Sequence, residues 1–266
     1  MKPPRTFGFL RWAALGLVSG VFLLSGAAAA EDGSSSQLLV TGQTVCYDFS
    51  FDPVTSEATA NPIPCAGTGQ DGEFQAGRKQ RYVDQHDGTI FDLNTGLTWE
   101  KKSFDGGIHD KNNIYTWTDA VTVYPATLNS ICERNESVRC STSKDCRKAG
   151  GGRCGFAGRQ DWRLPNNVEL RSIINYDFVH PAVSPVFNHD CVPGSTVLNG
   201  SCTGQDTCVE QNQGRQPGSD HHSSTTFTAD PTLMVVVGFD DGSGAEDGKE
   251  RTFCVRAVRG GLKGSN

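Results

Sequence analysis

The ten cysteines of this 266-residue chain restrict its fold more than any other feature. An even number of cysteines behind a stretch with the composition of an export signal is typical of disulfides formed in an oxidising compartment. Metal ligation is the alternative, but the chain contains no CxxC pair, and the spacings within 132–154 do not match zinc fingers. We therefore predict that all ten are disulfide-bonded: Cys46, Cys65, Cys132, Cys140, Cys146, Cys154, Cys191, Cys202, Cys208 and Cys254.

The first thirty residues have the composition of a secretory signal peptide. Lys2, Arg5 and Arg11 form a basic start, an apolar run extends over 12–24, and small residues end at Ala30. A membrane anchor is the alternative, but the apolar run is too short to span a bilayer and is interrupted by glycines. We predict cleavage after Ala30 and a mature chain without a membrane span that is secreted, periplasmic or located at the cell surface.

The charge of the mature chain excludes one class of partner. The sequence carries 24 basic and 30 acidic residues, and loss of the three basic residues at its start leaves a net charge of −9. Phosphates repel a chain this acidic, so we expect no binding to nucleic acid and no non-specific binding to anionic membranes.

Composition divides the mature chain into a leader and a domain. We predict a loop-rich leader over 31–80, closed by a Cys46–Cys65 disulfide because these cysteines are neighbours along the chain. The folded domain is predicted over 81–261, with cysteine-rich insertions at 129–155 and 190–220.

Pairing of the other eight cysteines is less constrained by spacing. The four cysteines within 132–154 are predicted to pair among themselves. A Cys191–Cys202 bridge would then leave Cys208 to pair with Cys254 and tie the second insertion to the last strand.

The segment DWRLPNNVEL, residues 161–170, predicts a strand that leads into a helix. Pro165 favours an extended conformation in the residue before it. Asn166 is suited to cap the helix, and Glu169 stands three residues later, where it can complete a capping box. We predict that the helix continues to about Tyr176. The residues predicted to serve as scaffold here are Trp162, Arg163, Pro165, Asn166 and Glu169.

The remaining pattern predicts an α+β domain with an antiparallel sheet. Three short strands are predicted near 82–83, 89–92 and 97–100. A helix is predicted from about Thr116, with Pro125 kinking or ending it. Together with the helix after Asn166, two main helices and long disulfide-stapled loops complete the architecture.

A β-hairpin is predicted to end the chain. Residues 233–239 strongly favour a strand, 240–250 form an acidic turn, and 251–259 alternate as a closing strand. Because the first and last strands of the domain are both apolar, we expect that they could pair.

Five motifs then occur in an order that resembles a known family. They are DGTIFDLNTGLTW at 87–99, YTWTDA at 115–120, GRQDWRLPNNVEL at 158–170, HSSTT at 222–226 and VRAVRGG at 255–261. The chain resembles the Lcl C-terminal domain family of secreted bacterial proteins over about 42–261. The resemblance implies a C-type-lectin-like fold, adhesion through an extracellular glycan such as a sulfated glycan or through a matrix component, and no catalytic residues.

This chain departs from the family pattern at one position. His222, preceded by His221, stands where the family usually has a tryptophan before SSTT. An aromatic contact at the ligand surface would thereby become an imidazole. The acidic net charge also argues against sulfated glycans, which require clustered arginine and lysine.

Acidic residues offer the first candidate ligand site. Asp240, Asp241, Glu246 and Asp247 lie together near the predicted last turn, and oxygen ligands on a loop suit Ca²⁺. A solvated hairpin end is the alternative and is favoured, because the spacing does not match an EF-hand. A weaker set of the same kind comprises Asp105, Asp110 and Asn112.

The two adjacent histidines offer a second candidate site. On a strand, His221 and His222 would point to opposite faces and could not bind one metal ion together. Asp220 or His189 could add ligands, but an exposed polar loop is the simpler interpretation.

The remaining conspicuous residues are interpreted as structural. Trp99, Trp117 and Trp162 are predicted to dominate the core by area. Arg256 and Arg259 are three apart on the last strand and face opposite sides, and one is predicted to pair with a carboxylate such as Asp161.

No nucleophile, zinc-protease or phosphate-loop motif occurs in the sequence. We therefore predict a non-catalytic, lectin-like binding module of a bacterial cell exterior that requires no cofactor. The alternatives are a module of the cell envelope that acts through protein contacts and, less favoured, an enzyme with an unrecognised site.

Overall fold

The structure is a computed structural model, and it describes residues 38–205, 207–208 and 218–261. The predicted signal peptide and part of the second cysteine-rich insertion therefore lie outside the described residues. Within these described ranges, no helix is long and apolar enough to cross a membrane.

Residues 38–80 contain two small antiparallel strand pairs and one helical turn. The elements are β1 Cys46–Tyr47, β2 Ser50–Asp52, β3 Glu57–Thr59, β4 Pro62–Ile63 and α1 Asp71–Phe74. β1 pairs with β4, and β2 pairs with β3. The backbone N–H of Thr44 donates to the Asp177 carboxylate at 2.6 Å, which fastens this segment to the remainder of the protein.

Four antiparallel strands form the first main sheet. They are β5 Tyr82–Asp84, β6 Thr89–Asp92, β7 Leu97–Glu100 and β15 Val258–Gly260. Their order is β15-β7-β6-β5, so the first and last strands of the domain occupy opposite edges and the predicted pairing between them is wrong. The meander β5-β6-β7 leaves one edge of β7 open, and β15 pairs there instead.

The two faces of this sheet differ because side chains alternate along each strand. One row of paired residues is fully buried in the core: Ile90, Trp99 and Val258. The adjacent row lies on the opposite face of the sheet: Phe91, Thr98 and Arg259.

Five strands form the second main sheet. They are β8 Ile114–Thr116, β11 Asp220–Thr226, β12 Leu233–Gly238, β13 Gly244–Gly248 and β14 Thr252–Cys254. Their order is β13-β12-β11-β14-β8, with one parallel pair between β11 and β14.

The predicted terminal hairpin is wrong in its second half. β12 pairs with β13, which lies inside the supposed acidic turn, and the predicted closing strand is split between β14 and β15 in two different sheets. β13 is an edge strand, and of its two acidic side chains Glu246 remains exposed while Asp247 is buried and pairs with Arg251. Gly242, at a φ of +79°, supports the shorter turn.

β9 Ile131–Cys132 and β10 Asn135–Arg139 form a separate antiparallel pair in the first insertion. Short helices connect the sheets. They are α2 Trp117–Val121, α3 Val123–Leu128, α4 Ser143–Lys148 and α5 Asn167–Arg171. α2 begins near Thr116 as predicted, and Thr116 caps it by accepting from the N–H of Asp119 at 3.2 Å. The helix breaks at Thr122, and Pro125 falls in the first turn of α3, where its missing N–H costs nothing.

α5 is shorter than predicted. It ends at Arg171, not near Tyr176, because Ile174 leaves the helix to form a bridge with Val183. Ile173 and Ile174 are nevertheless buried, so the segment after Arg171 contributes to the core although it is not helical.

All ten cysteines are paired in disulfides, which confirms the main prediction. The bridges are Cys46–Cys65, Cys132–Cys146, Cys140–Cys154, Cys191–Cys202 and Cys208–Cys254. Mostly antiparallel sheets, short helices and stapled loops confirm the α+β class. Five disulfides fit an extracellular protein.

Candidate functional site

The 161–170 junction holds a loop beside the first sheet. Arg163 and Val258 exchange both backbone hydrogen bonds at 2.9 Å, so the junction pairs with β15. Asn166 and Glu169 form the predicted capping box. The Glu169 carboxylate also accepts from both terminal nitrogens of Arg163, at 2.7 and 2.6 Å, and its pKa is lowered because these bonds outweigh its burial. The junction is therefore rigid on both sides of Pro165.

A groove forms between the outer face of the first sheet and the loop that precedes the junction. It encloses about 190 Å³. We call it the arginine groove, and its lining residues are Gln85, Asp87, Thr89, Phe91, Thr98, Arg153, Ala157, Arg159, Trp162 and Arg259.

The loop is supported from below by aromatic packing. The indole Nε1 of Trp162 donates to the carbonyl of Phe156 at 2.9 Å, and the two rings are 5.2 Å apart. Trp162 is only 2 % exposed, so it provides a wall and not a mobile contact.

Three guanidinium groups border the groove, and they differ in how far they are paired. Arg153 donates to Glu133 at 2.8 Å. Arg259 donates to Asp161 at 2.7 Å through Nε alone, and this bond lowers the pKa of Asp161. Its two terminal nitrogens, and the entire guanidinium of Arg159, form no hydrogen bond with any residue that the structure describes.

Unused donors in a concave site favour a particular class of ligand. The hydroxyl of Thr98, between Phe91 and Arg259 in the sheet register, also has no described hydrogen-bond partner. Guanidinium forks match the paired oxygens of carboxylate, sulfate or phosphate groups, and hydroxyls match sugars. The arrangement can therefore hold a polar anionic ligand.

A second polar cluster lies in the interior, and sequence reasoning missed it. Glu100 accepts from Lys102 at 3.2 Å, from His109 at 2.7 Å, from the Tyr124 hydroxyl and from the backbone N–H of Ala257 at 2.8 Å. We call this set the Glu100 network. Its side chains are at most 3 % exposed.

Burial and pairing oppose each other in the Glu100 network. Burial alone would raise the pKa of the Glu100 carboxyl, but Lys102 and His109 outweigh it and lower that pKa to about 2. Burial lowers the pKa of Lys102 and raises that of Tyr124. Glu100 is therefore ionised in the core and bound on every side.

Arg256 encloses the Glu100 network from the last segment of the chain. Its guanidinium is fully buried and donates to the carbonyls of Glu100 and Cys202 at 2.8 and 2.7 Å. Burial lowers its pKa to about 10. These contacts give Arg256 the structural role that was predicted. Of the two arginines, Arg259 is the one that pairs with Asp161.

The predicted histidine site does not open to solvent. His221 is stacked on Phe239 at 4.2 Å, and its Nδ1 donates to the carbonyl of Ser219. His222 packs edge-on against Phe253, and its Nε2 donates to the carbonyl of Tyr115 at 2.7 Å. Burial lowers the two pKa values to about 3 and about 4, so both rings are neutral.

His222, which stands where the family usually has a tryptophan, therefore lies inside the protein. His221 and His222 point to opposite faces of β11, as predicted for adjacent strand residues, but each fills a packed position. This placement argues against a ligand contact by either residue.

The four acidic residues near the last hairpin do not converge. Asp241 accepts from the N–H of Ser243 within the turn, whereas Asp240 accepts from the hydroxyl of Ser219, which directly precedes β11. The other two carboxylates lie on β13: Glu246 is exposed, and Asp247 pairs with Arg251 at 3.3 Å. Neighbouring strand residues point to opposite faces, so these two cannot share one ion.

The carboxylates of the second acidic set, Asp105 and Asp110, already accept hydrogen bonds from groups of their own loop. Asp105 accepts from Ser103 and from the N–H of Gly107, and Asp110 accepts from the N–H groups of Gly106 and Asn112. Among described residues, close groups of potential metal ligands are Cys132, Cys140 and Cys146, and Cys208, His221 and Cys254. Their cysteines are all in disulfides.

The predicted core tryptophans are not equally buried. Trp99 is fully buried, whereas Trp117 is half-buried, donates its Nε1 to the carbonyl of Ser223 at 3.0 Å and lies 4.1 Å below the ammonium of Lys249.

Comparison with known proteins supplies the family. A family model described as the Lcl C-terminal domain matches residues 88–259, which is more than half of the chain. A comparison with curated proteins found no match. The matched span includes β6 and β7, the 161–170 junction and nearly all of β15, which together build the arginine groove. The chain therefore belongs to the Lcl C-terminal domain family.

Proposed function

We propose that this protein is a non-catalytic, lectin-like binding module of a bacterial cell exterior, which attaches to an extracellular glycan or matrix component through the arginine groove. The observation that carries this proposal is the set of unused donors on Arg159, Arg259 and Thr98 in one concave surface. Charged side chains that are buried or already paired could not bind such a ligand, because their donors already form hydrogen bonds within the protein.

The groove favours a glycan with carboxylate or sulfate groups. Although the mature chain has a net charge of −9, three of its arginines are gathered at one site. Local charge governs contact with a ligand at hydrogen-bond distance, since salt screens more distant charges over about 8 Å. Although Asp87 also lines the groove, the net acidity therefore does not prevent a sulfated ligand from contacting the unused donors of Arg159 and Arg259.

The arrangement of acid–base groups supports a non-catalytic role. Glu100, Lys102, His109 and Tyr124 have the functional groups of general acids and bases, but each is at most 3 % exposed. A catalytic group must come within hydrogen-bond reach of its substrate. The predicted signal peptide and the five disulfides support an exported location.

Binding of a sulfated oligosaccharide, measured by calorimetry, tests the proposal. We expect Arg159→Ala to weaken affinity about tenfold, the loss typical of one charge-assisted hydrogen bond. Arg147→Ala is the matched control, because Arg147 is an exposed arginine on α4 and does not line the groove. Equal affinity for the wild type and Arg159→Ala, or no binding to any acidic or neutral glycan on an array, would overturn the proposal.

A second candidate function, a module of the cell envelope that acts through protein contacts, is favoured by a different surface. The segment 38–80 exposes several large apolar side chains: Tyr47, Phe49, Phe51, Val54 and Phe74. Exposed apolar patches often mark protein contacts. Loss of cell-envelope association in Phe49→Ser plus Phe51→Ser, with glycan binding retained, would favour this candidate.

A further inference from the structure

His109 lies between the Glu100 network and the first cysteine-rich insertion. Its Nδ1 is 2.7 Å from the Glu100 carboxylate, and its Nε2 is 3.1 Å from the carboxylate of Glu136 on β10 Asn135–Arg139. A neutral imidazole carries one N–H and can donate to only one carboxylate, whereas the imidazolium donates to both. The two contacts together therefore require a protonated ring.

We propose that His109 is a positioning residue that clamps the insertion, residues 129–155, to the core only while its ring is protonated, and that this clamp sets the shape of the arginine groove. The second part of the proposal rests on the proposed function.

Two routes connect His109 to the groove. The ring packs against Phe156 at 4.2 Å, and Phe156 packs against Trp162, a wall of the groove. Through Glu136, the ring also holds the insertion, where the backbone N–H of Glu133 donates to the carbonyl of Arg153 at 2.9 Å. Both routes end at residues that line the groove or carry its arginines.

The disulfides make this a local device. Cys132–Cys146 and Cys140–Cys154 keep the insertion folded whether or not it is clamped. The side chain of Glu136 is 40 % exposed, so its contact can open without exposing the core. Loss of the His109–Glu136 bond would therefore loosen β10, while buried Ile131 keeps the base of the insertion attached to the core.

Charged or titratable groups reach His109 or its partner Glu100 from every element packed against them. They are Glu100 of β7, Lys102 and Asp110 of the following loop, Tyr115 of β8, Tyr124 of α3, Glu136 of β10, and Arg256 between β14 and β15. The pKa values of Glu100, Tyr115 and Arg256 are about 2, about 12 and about 10, so their charges are constant near neutral pH. Lys102 is the rival titrating group, since burial lowers its pKa, but its hydrogen bonds go to Glu100 and Tyr124 and not to Glu136.

The direction of the pH dependence follows from the two carboxylates. Burial would lower the pKa of His109, but hydrogen bonds to Glu100 and Glu136 outweigh it and raise the pKa above the ordinary 6.5. The clamp is therefore complete below pH 6.5 and is lost as the pH rises through the raised pKa.

Amide hydrogen exchange of the oxidised, full-length protein tests the clamp without any ligand. Between pH 5.5 and pH 9, after correction for intrinsic exchange, protection of amides in 131–139 should fall about fivefold, as expected for loss of one partly exposed charged hydrogen bond. Glu136→Gln should remove this step, because an amide can pair with the neutral ring. Glu133→Gln is the matched control and should retain the step, since Glu133 pairs with Arg153 and not with His109.

The outcomes separate the clamp from the proposed function. Protection that does not change with pH in the wild type, or an unchanged step in Glu136→Gln, would overturn the clamp. A sulfated oligosaccharide should lose affinity over the same pH range, and a constant affinity alongside a clear exchange step would overturn the link to the groove. If the wild type binds no glycan at any pH, the proposed function fails, while the exchange experiment still decides the clamp.

Discussion

The Glu100 network and the arginine groove contain the same kinds of charged side chain but use them differently. In the network, Glu100 accepts four hydrogen bonds from groups in the interior. In the groove, Arg159 and the ends of Arg259 retain donors that no described residue uses. Charged groups whose hydrogen bonds are all made within the protein fix the packing of the core, whereas hydrogen-bond donors without a partner in the protein can bind a ligand. Polar clusters therefore indicate function in this protein only where the fold leaves hydrogen bonds unmade.

Removal of the central carboxylate would break the network most severely. Glu100→Ala leaves the buried cations Lys102 and Arg256 without their central carboxylate, and the two repel each other. We expect the free energy of unfolding to fall by about 3–5 kcal/mol. Urea denaturation with intact disulfides measures this change, and Glu246→Ala, an exposed substitution on β13, should stay within about 0.5 kcal/mol of the wild type. A loss below about 1 kcal/mol for Glu100→Ala would contradict the structural role of the network.

Acid should destabilise the protein through its buried histidines. The unfolded chain binds protons near pH 6.5, whereas the folded pKa values of His221 and His222 are about 3 and about 4, so stability falls as the pH drops below 6.5. His222→Trp, which installs the residue usual in the family, should reduce the slope between pH 6 and pH 4.5 by up to about 1.4 kcal/mol per pH unit.

Thermal or urea unfolding over this pH range measures the slope. His222→Phe provides a second variant if the larger indole does not fit beside Phe253. His86→Ala is the control, because His86 is 85 % exposed. Equal slopes for the wild type and for both His222 variants would show that this ring is not held neutral by burial.

A charge-conserving change sharpens the comparison in the groove. Arg259→Lys keeps the positive charge but loses the fork of donors, so we expect ligand affinity to fall about fivefold. Stability should change by less than about 1 kcal/mol, since the bond to Asp161 is partly exposed. Calorimetric titration and urea denaturation separate the two effects, and a large loss of stability with full binding would reverse the assignment.

The smallest effect is expected from calcium. The carboxylates of Asp240, Asp241, Glu246 and Asp247 do not converge, so millimolar Ca²⁺ should shift the unfolding midpoint by less than about 1 °C. Differential scanning calorimetry with and without a chelator measures this shift. A calcium-dependent rise that Asp241→Ala plus Asp247→Ala removes would restore the acidic residues as a metal site.

Local sequence signals were sufficient where the relevant contacts are close along the chain. Asn166 and Glu169 are three residues apart, and the capping box that they form was predicted from that spacing. The same reasoning failed at β13, because pairing with β12 stabilises a strand whose acidic composition suggested a turn. The Glu100 network was not predicted at all, because its partners arrive from α3, the following loop and the last segment of the chain.

The sequence by itself determined the α+β class, the disulfide-bonded state of the ten cysteines, the junction and the family, because these depend on composition, short spacings and the order of motifs. Only the tertiary structure decided which polar residues are available to a ligand. His221, His222 and Glu100 are polar yet buried, while Arg153, Arg159 and Arg259, scattered along an acidic chain, meet at one groove. Availability depends on burial and on hydrogen-bond partners from distant segments, and neither follows from local pattern.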